Sequence, residues 1–256
     1  MKIAIVTGAS SGIGKTFCTM LSDYFSFDEV WVIARRLDRL ENLANELPYK
    51  IKPISLDLSV QDSFSKLKTL LEEEKPEVEL LINCSGFGRF EKSTDTDLDV
   101  NLNMIDLNCK AIVSSCSVVL PYMPSYSRII NIASVAALQP IPYINVYGAT
   151  KAFVLSYSRA LNRELKDRNI SVTAVCPFWT KTEFFDRAVS KEKNPVVKKY
   201  VAMYKPEQIV KRAFRDAIRR KDVSFYGFKA RSQALLVKLL PHSIVMNVWL
   251  KQQKLK

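Results

Sequence analysis

Tyr147 and Lys151 stand four residues apart in the segment Tyr-Gly-Ala-Thr-Lys, and Ser134 lies thirteen residues upstream. On a helix, residues four apart share one face, so this spacing places an ammonium group beside a phenol hydroxyl. A neighbouring cation favours the phenolate and lowers the phenol pKa from its reference value of about 10. Such a tyrosine can donate and accept a proton near neutral pH. Solvated helix pairs show the same spacing, so the assignment depends on the rest of the chain.

A glycine-rich turn follows the apolar run Lys2–Thr7 and precedes a helical pattern. The N-terminus of a helix offers free N–H groups and the positive end of its dipole, which together favour a pyrophosphate. Glycine also lets the backbone approach such a ligand closely. The turn therefore predicts a dinucleotide site, and the alternative is a plain strand-to-helix turn. The residues predicted to contact the cofactor here are Gly8, Ser10, Ser11, Gly12, Ile13 and Gly14.

Arg35 and Arg36 come directly after the second apolar run, Glu29–Ala34. A site selective for NAD usually places an acidic residue at this point to bind the ribose 2′-hydroxyl. Two arginines instead suit a 2′-phosphate, through charge-assisted and bidentate hydrogen bonds. The sequence therefore predicts NADP(H). The alternative is that the arginines only begin the next helix, where Asp38 fits the first turn.

Short β-branched runs alternate with longer amphipathic stretches along the chain. The predicted strands are Lys2–Thr7, Glu29–Ala34, Lys50–Leu56, Leu80–Cys84, Arg128–Ala133, Ser171–Cys176 and Asp222–Tyr226. The predicted helices lie near 12–25, 38–47, 60–74, 97–121, 147–168 and 206–220. This alternation indicates an α/β fold with an open, doubly wound parallel sheet of about seven strands. We expect one domain over 1–227, with a mobile lid near 183–205, and an amphipathic helical extension over 228–256.

Composition excludes several classes of protein. Of the 256 residues, 48% are hydrophobic and 25% are charged, as is ordinary for a soluble globular protein. Five cysteines without paired spacing, and no secretory leader, predict a reduced, cytoplasmic protein. The single histidine, His242, and the lack of clustered Cys or carboxylate ligands make a metal site unexpected.

The net charge of +12 is concentrated near the C-terminus. Residues 181–256 hold nineteen Lys/Arg against six Asp/Glu, while residues 1–180 are nearly balanced. Such asymmetry is typical of proteins that bind nucleic acid, an anionic membrane or an acidic partner, but it also describes a solvated helix face. Basic residues without interleaved stacking aromatics argue against nucleic acid. The other three explanations remain open.

Over roughly residues 1–225, the chain resembles the short-chain dehydrogenase/reductase family, which has a Rossmann-like fold. The positions that carry the resemblance, in chain order, are Thr7, Gly8, Gly12, Gly14, Asp57, Asn83, Gly86, Asn108, Ser134, Tyr147, Lys151, Pro177 and Thr182. Two positions depart from the family pattern: Ser85 replaces the common alanine, and Phe178 replaces the glycine that usually follows Pro177. The second departure predicts a remodelled pocket wall near the nicotinamide.

The resemblance implies that a hydride moves between NADP(H) and a carbonyl or secondary alcohol. It implies that Tyr147 protonates the substrate oxygen, Ser134 hydrogen-bonds it, and Lys151 lowers the tyrosine pKa and binds the nicotinamide ribose. Asn108 would hold a water that connects Lys151 to solvent. The family usually forms dimers or tetramers through the helices that carry Asn108 and Tyr147. The further cofactor contacts implied are Asp57, Leu58, Asn83, Gly86, Pro177, Thr180 and Thr182, beside Tyr147 and Lys151.

Aromatic residues dominate the expected substrate wall, which favours an apolar ketone such as a steroid, a bile-acid-like compound or a fatty chain. These aromatics are Phe87, Phe90, Tyr143, Phe178, Trp179, Phe184 and Phe185. Arg89 and the lysines of 191–199 leave an anionic substrate open. The apolar and basic segment 234–256 either contacts a membrane surface, packs on a partner subunit or covers the substrate mouth. The alternative to an enzyme is a non-catalytic NADP-binding scaffold.

Overall fold

A parallel sheet forms the centre of the protein. The structure, a computed structural model, describes residues 1–189 and 195–255, and within them seven strands form one sheet. The strands are β1 (Lys2–Thr7), β2 (Glu29–Ala34), β3 (Ile51–Ser55), β4 (Glu77–Asn83), β5 (Arg128–Ile132), β6 (Ser171–Val175) and β7 (Val223–Ser224). Their order is β3-β2-β1-β4-β5-β6-β7, and every neighbouring pair is parallel. The predicted fold class is confirmed.

Helices cover both faces of the sheet. They are α1 (Gly12–Thr19), α2 (Leu37–Glu46), α3 (Asp62–Glu74), α4 (Leu98–Ile105), α5 (Ala111–Val119), α6 (Asn145–Glu164), α7 (Phe184–Ala188), α8 (Pro206–Ile218), α9 (Phe228–Leu239) and α10 (His242–Gln253). Apolar residues of α3, α5 and α6 form the core on one face, and those of α1, α2 and α8 form it on the other. This burial on both sides explains why β2 is buried at every residue.

The strand order reverses between β1 and β4, so the chains that leave the carboxyl ends of these two strands run to opposite sides of the sheet. The hydroxyl of Thr7 at the end of β1 accepts hydrogen bonds from the N–H groups of Cys84 (3.1 Å) and Ser85 (3.3 Å) after β4. A Cβ on Gly8 would lie 2.8 Å from the carbonyl carbon of Cys84, so only glycine fits here. In open α/β sheets a crevice for ligands forms at this reversal.

The helix predicted over 97–121 is continuous but not regular. Its middle, Asp106–Lys110, is a π-helical turn between α4 and α5, which inserts a residue and rotates Asn108 into the interior. By length and composition the stretch Leu98–Tyr122 suits a membrane span, with a mean hydropathy of 1.3. However, Ile112, Cys116 and Val119 belong to the buried core against the sheet. This stretch is therefore a core helix of the domain.

Two strands differ from their predicted bounds by more than one residue at an end. β4 begins at Glu77, three residues before the predicted Leu80, because the N–H of Glu77 bonds to the carbonyl of Met1 (2.8 Å) beside β1. β7 has only two residues, since the chain turns away at Gly227, whose φ of 84° is left-handed, to begin α9. The earlier start of β4 arises from a contact distant in sequence, which the local pattern does not report.

The C-terminal helix α10 holds part of the predicted lid in place. Gln253 is fully buried, and its Oε1 accepts the N–H groups of Lys198 (2.8 Å) and Lys199 (2.9 Å). Its Nε2 donates to the carbonyl of Lys199 (3.0 Å), and Trp249 donates to the carbonyl of Pro142 (3.1 Å). Another part of the predicted lid, 190–194, lies outside the described residues, and its mobility stays a prediction.

The close approach of the first turn to α1 can be tested with a glycine pair. A Cβ on Gly14 would lie 2.1 Å from the carbonyl oxygen of Gly8, whereas one on Gly148 in α6 would meet the carbonyl of Ala136 at 3.5 Å. We expect Gly14→Ala to lower the free energy of unfolding by about 1–3 kcal/mol, as overpacking does. Gly148→Ala should leave it unchanged or raise it by up to ~1 kcal/mol. Urea unfolding measures both, and equal losses would contradict a tight contact confined to Gly14.

Candidate functional site

A cavity of about 850 Å³ extends from the carboxyl ends of the central strands to the two C-terminal helices. Nearly all of the predicted site residues lie along it. Those that line the cavity are Gly8, Ser10, Ser11, Gly12, Ile13, Gly14, Arg35, Arg36, Asp57, Leu58, Gly86, Ser134, Tyr147, Lys151, Pro177, Thr180 and Thr182. The structure thus brings these residues into one continuous site from segments far apart in the chain. Asn83 and Asn108 are the two exceptions.

Asn83 does not line the cavity, and its predicted cofactor contact stays a prediction. Its amide donates to Asn131 Oδ1 (2.9 Å) and Asn131 donates to Ser158 Oγ (2.9 Å), all three being buried. This chain of hydrogen bonds joins β4, β5 and α6 beneath the site. The side chain of Asn83 therefore helps to fix the positions of the strand ends.

Asn108 has a similar supporting position. Its Nδ2 donates to the carbonyl of Phe87 (2.9 Å) and to Thr150 Oγ1 (3.0 Å), and its Oδ1 accepts the N–H of Phe87 (3.0 Å). A Cβ on Gly86 would lie 2.7 Å from that Oδ1, so the loop after β4 packs tightly on this amide. Both donors of the Asn108 side chain are used within the protein, and the side chain ties the loop to α6.

Tyr147 lies in the first turn of α6 with its ring among aromatic neighbours. Its ring centroid is 5.9 Å from that of Phe90 and 5.5 Å from that of Phe184. Burial in these apolar surroundings raises the pKa of the Tyr147 phenol to about 12, although a hydrogen bond with Ser134 acts to lower it. The prediction of a lowered phenol pKa is therefore wrong for the chain by itself, because desolvation outweighs the neighbouring groups.

Ser134 ends β5 and has two roles in the structure. Its Oγ accepts the N–H of Ala136 (3.1 Å) and so caps the short helix Val135–Leu138. It also contributes the hydrogen bond to Tyr147. The cap fixes the hydroxyl in the position from which it reaches the tyrosine.

Lys151 lies one turn after Tyr147 and is almost fully buried. Its Nζ donates to the carbonyl of Ile132 (2.7 Å) and lies 5.8 Å from the ring centroid of Tyr147. Burial lowers the pKa of the Lys151 amine to about 8, against an opposing effect of the Cys109, Cys84 and Cys176 thiols. The amine is thus held at the end of β5, beside the tyrosine, where it is desolvated.

The glycine turn has the backbone geometry that a pyrophosphate requires. Gly8 and Gly12 adopt left-handed conformations, with φ of 67° and 52°, and α1 begins directly at Gly12. Ser11 precedes the helix but makes no side-chain capping hydrogen bond, so the first-turn N–H groups face the cavity without that partner. These features fit an anion at the helix N-terminus.

The adenosine end of the cavity carries the two predicted arginines. Arg36 Nη2 donates to Ser10 Oγ (3.0 Å), and Arg35 Nη1 lies 3.6 Å from Asp57 Oδ2. Burial acts to raise the pKa of Asp57, but the hydroxyl and N–H of Ser59, together with Arg35, lower it overall. A cation pair and an ionised carboxylate thus flank this end, which suits a phosphorylated ribose and an adenine amine.

Three further charged residues lie here that the sequence patterns did not indicate. Arg39, one turn into α2, donates to both oxygens of Glu183 (2.8 and 3.0 Å), and Arg36 Nη1 also reaches Glu183 (3.4 Å). The Arg187 guanidinium lies 3.9 Å from the Phe87 ring centroid and lines the cavity. Arg39 follows Arg36 by three residues, and this spacing could have identified it from the sequence. No local pattern in the sequence indicates its contact with Glu183.

The far end of the cavity is largely apolar. Six of the seven predicted aromatics line it: Phe87, Phe90, Phe178, Trp179, Phe184 and Phe185. Tyr143 instead faces a separate surface depression beside Lys92, and Arg89 pairs with Glu91 (3.7 Å) outside the cavity. The C-terminal helices complete the wall with Leu236, Val237, Leu240, Val245, Val248 and Trp249. Of the roles left open for this segment, covering the mouth of the cavity is the one that the structure shows.

The burial of Lys151 has a measurable cost in stability. Because its folded pKa of about 8 lies below the ordinary value of 10.5, the folded state disfavours the ammonium at neutral pH, and this penalty disappears as pH rises through that window. As the pH falls from 10 to 7, we expect the free energy of unfolding of Lys151→Met to rise relative to that of wild type by up to about 3 kcal/mol. Lys66→Met, at an exposed position of α3, is the control, and its difference in unfolding free energy from wild type should not change in this way with pH. A difference between Lys151→Met and wild type that is independent of pH would contradict the buried ammonium.

Comparison with known proteins agrees with the site. The family model for short chain dehydrogenases matches residues 2–193. The human very-long-chain 3-oxoacyl-CoA reductase is 29% identical over 256 residues, which cover 96% of this chain and 75% of the relative.

Solved structures show the same architecture. A short-chain dehydrogenase from Sphingobium yanoikuyae in complex with NADPH is 26% identical, covers 96% of both chains and has a TM-score of 0.77. The bulky-bulky ketone specific alcohol dehydrogenase from Comamonas testosteroni is 25% identical, with coverage of 93% and 92% and a TM-score of 0.72. A fold neighbour from Burkholderia phymatum was solved with NAD. The chain therefore belongs to the short-chain dehydrogenase family of oxidoreductases, which use a nicotinamide cofactor.

Proposed function

We propose that the protein transfers a hydride between NADP(H) and an apolar ketone or secondary alcohol. One observation carries this proposal: a single cavity holds Tyr147, Ser134 and Lys151 between an anion-binding glycine turn and an apolar wall. The bound nicotinamide would supply the hydride, and the residues of the chain supply binding, orientation and proton transfer.

Tyr147 is the proposed proton donor to the substrate oxygen during reduction. Its raised pKa keeps the phenol protonated at neutral pH, so it can give its proton to a developing alkoxide. Ser134 hydrogen-bonds the same oxygen and stabilises the charge that develops on it. Lys151 is placed to bind the nicotinamide ribose and to favour the phenolate once the proton has left. Asn108 is a positioning residue, since its amide holds Thr150 and the loop of Phe87.

NADP(H) is the proposed cofactor because cations dominate the end of β2. Arg35, Arg36 and Arg39 lie within the first turns after this strand, and Arg36 already donates to Ser10 in the glycine turn. A guanidinium group recognises a phosphate through paired hydrogen bonds. The NADPH complex of the Sphingobium relative supports the same choice.

An apolar substrate with a long or bulky body is proposed from the far wall of the cavity. Aromatic and aliphatic side chains from β6 onward, α9 and α10 make up this wall, and few charges interrupt it. Two relatives, one a reductase of very-long-chain 3-oxoacyl groups and one specific for bulky ketones, support this substrate class. A fatty-chain ketone or a steroid-like ketone fits such a wall better than a sugar.

The chemistry is tested by measuring NADPH oxidation with a panel of steroid, bile-acid and 3-oxoacyl ketones. We expect wild type to turn over at least one apolar ketone, and Tyr147→Phe to lower kcat by about 10²-fold or more, because general acid catalysis contributes about that much. NADPH should still bind to Tyr147→Phe, as measured by fluorescence. Retained turnover in Tyr147→Phe contradicts the role of the tyrosine, and a panel without turnover favours the scaffold alternative.

We also propose that α9 contacts an anionic membrane surface from the cytoplasmic side. The outward face of α9 interleaves exposed Phe228, Leu235 and Leu239 with Arg231 and Lys238, as interfacial helices do. Residues 228–256 contain six Lys/Arg and no Asp/Glu. The same helices line the cavity mouth, so an apolar substrate would enter from the lipid.

A different surface supports the proposed homo-oligomer. Leu98, Leu102 and Ile105 are exposed on α4, and Phe153 is exposed on α6. These helices flank Asn108 and Tyr147, through which the family resemblance places the subunit contact. The two apolar surfaces are on separate elements and can be tested independently.

Two matched double variants separate the membrane contact from the subunit contact. We expect Leu235→Gln/Leu239→Gln to lose most binding to vesicles that contain phosphatidylglycerol, while its mass by light scattering stays unchanged. Leu98→Gln/Leu102→Gln should lower the mass and leave vesicle binding intact, because its exposed leucines are on the other surface. Each variant is the control for the other. Vesicle binding that survives the first variant contradicts the membrane proposal, and an unchanged mass in the second contradicts the subunit contact.

A further inference from the structure

The carboxylate of Glu183 contacts two of the three arginines proposed to hold the cofactor phosphate, Arg36 and Arg39. Its two oxygens accept from Arg39 Nη1 at 2.8 and 3.0 Å, and one of them lies 3.4 Å from Arg36 Nη1. Burial acts to raise the pKa of Glu183, but Arg39 and Arg36 lower it overall, in keeping with an ionised carboxylate between two guanidinium groups.

Glu183 reaches these arginines because its segment passes beside the glycine turn. The neighbouring Thr182 packs against the glycine turn, where a Cβ on Gly12 would lie 3.3 Å from Thr182 Cβ. Glu183 is 144 residues from Arg39 in sequence, and α7 begins directly after it. The contact thus joins the chain after β6 to the start of α2, across the cofactor end of the site.

A carboxylate and a phosphate compete for the same guanidinium donors, since both are anions bound by parallel N–H groups. We infer that Glu183 is a specificity-determining residue that competes with the 2′-phosphate of NADP(H) for Arg36 and Arg39. This inference rests on the proposed preference for NADP(H). Binding of the phosphate replaces the Glu183 contact, so part of the affinity gained at the arginines is offset by the carboxylate that leaves them.

The competition affects only the phosphorylated cofactor. NAD(H) carries a 2′-hydroxyl in place of the phosphate and therefore leaves the contact of Glu183 with the two arginines intact. The ratio of the affinity for NADP(H) to that for NAD(H) is consequently smaller with Glu183 present than the arginines alone would give. Ionic pairs at exposed positions are individually weak, so we expect a moderate effect that decreases with salt.

Glu183→Gln tests this inference through binding measurements that do not require turnover. We expect the variant to bind NADPH and 2′,5′-ADP about three- to tenfold more tightly than wild type, with NADH within about twofold. Glu46→Gln is the matched control, because Glu46 is similarly exposed and forms a comparable ion pair with Lys15 (2.9 Å). It should leave all three affinities unchanged. In an Arg39→Gln background, the gain from Glu183→Gln should largely disappear.

Each contrary result identifies a different error. Weaker NADPH binding in Glu183→Gln would mean that the carboxylate orders the arginines, and weaker NADH binding would mean that it binds the ribose hydroxyls; either overturns the inference. A gain that persists at full size without Arg39 also overturns it. If wild type binds NADPH more tightly than NADH, but Glu183→Gln does not bind NADPH more tightly than wild type does, only the inference fails. If NADPH binds no more tightly than NADH in both chains, the proposed cofactor itself fails.

Discussion

The contact between Gly14 and the carbonyl of Gly8 is the constraint on which the site depends. A Cβ at Gly14 would lie 2.1 Å from that oxygen, so the first turn of α1 closes tightly onto the end of β1. This closeness aims the helix N-terminus at the crevice where the chains after β1 and β4 separate. Thr7 fixes the opposite side of the crevice by accepting two N–H groups after β4. The proposed pyrophosphate and nicotinamide contacts lie along the edge that these backbone contacts define.

Desolvation, more than ion pairing, shifts the pKa values of the proposed catalytic groups Tyr147 and Lys151. Burial raises the pKa of Tyr147 and lowers that of Lys151, because neither the phenolate nor the ammonium is well solvated in the cavity. Both groups are therefore biased toward their neutral forms, which suits a tyrosine that gives a proton away. The carbonyl of Ile132 holds the lysine in place, and Asn108 holds the loop beside it. Buried polar groups beneath the cavity therefore support the site.

The sequence predicts the positions of site residues well but not the partners of their side chains. Gly8, Gly14 and Tyr147 were identifiable because their chemistry depends on local backbone or helix spacing. Asn83 fits the family pattern equally well, yet its amide turns inward to Asn131, since a pattern gives a place on a strand and not the direction of its hydrogen bonds. The Glu183 contact joins residues 144 apart and has no local signal. The parallel sheet was predictable because burial on both faces leaves a continuous apolar run.

The proposed selectivities for cofactor and for substrate are physically linked through α7 and the residue before it. Glu183 contacts Arg39 at the cofactor end, and the next residue, Phe184, packs on the ring of Tyr147 at 5.5 Å. Glu183 and Phe184 are adjacent in the backbone at the start of a helix of only five residues. A movement of this helix that changes one of the two contacts therefore changes the other. The segment beyond it is held by the buried Gln253 of α10. The arginines of the proposed phosphate site, the aromatic wall beside Tyr147 and the C-terminal cover therefore belong to one connected set of contacts.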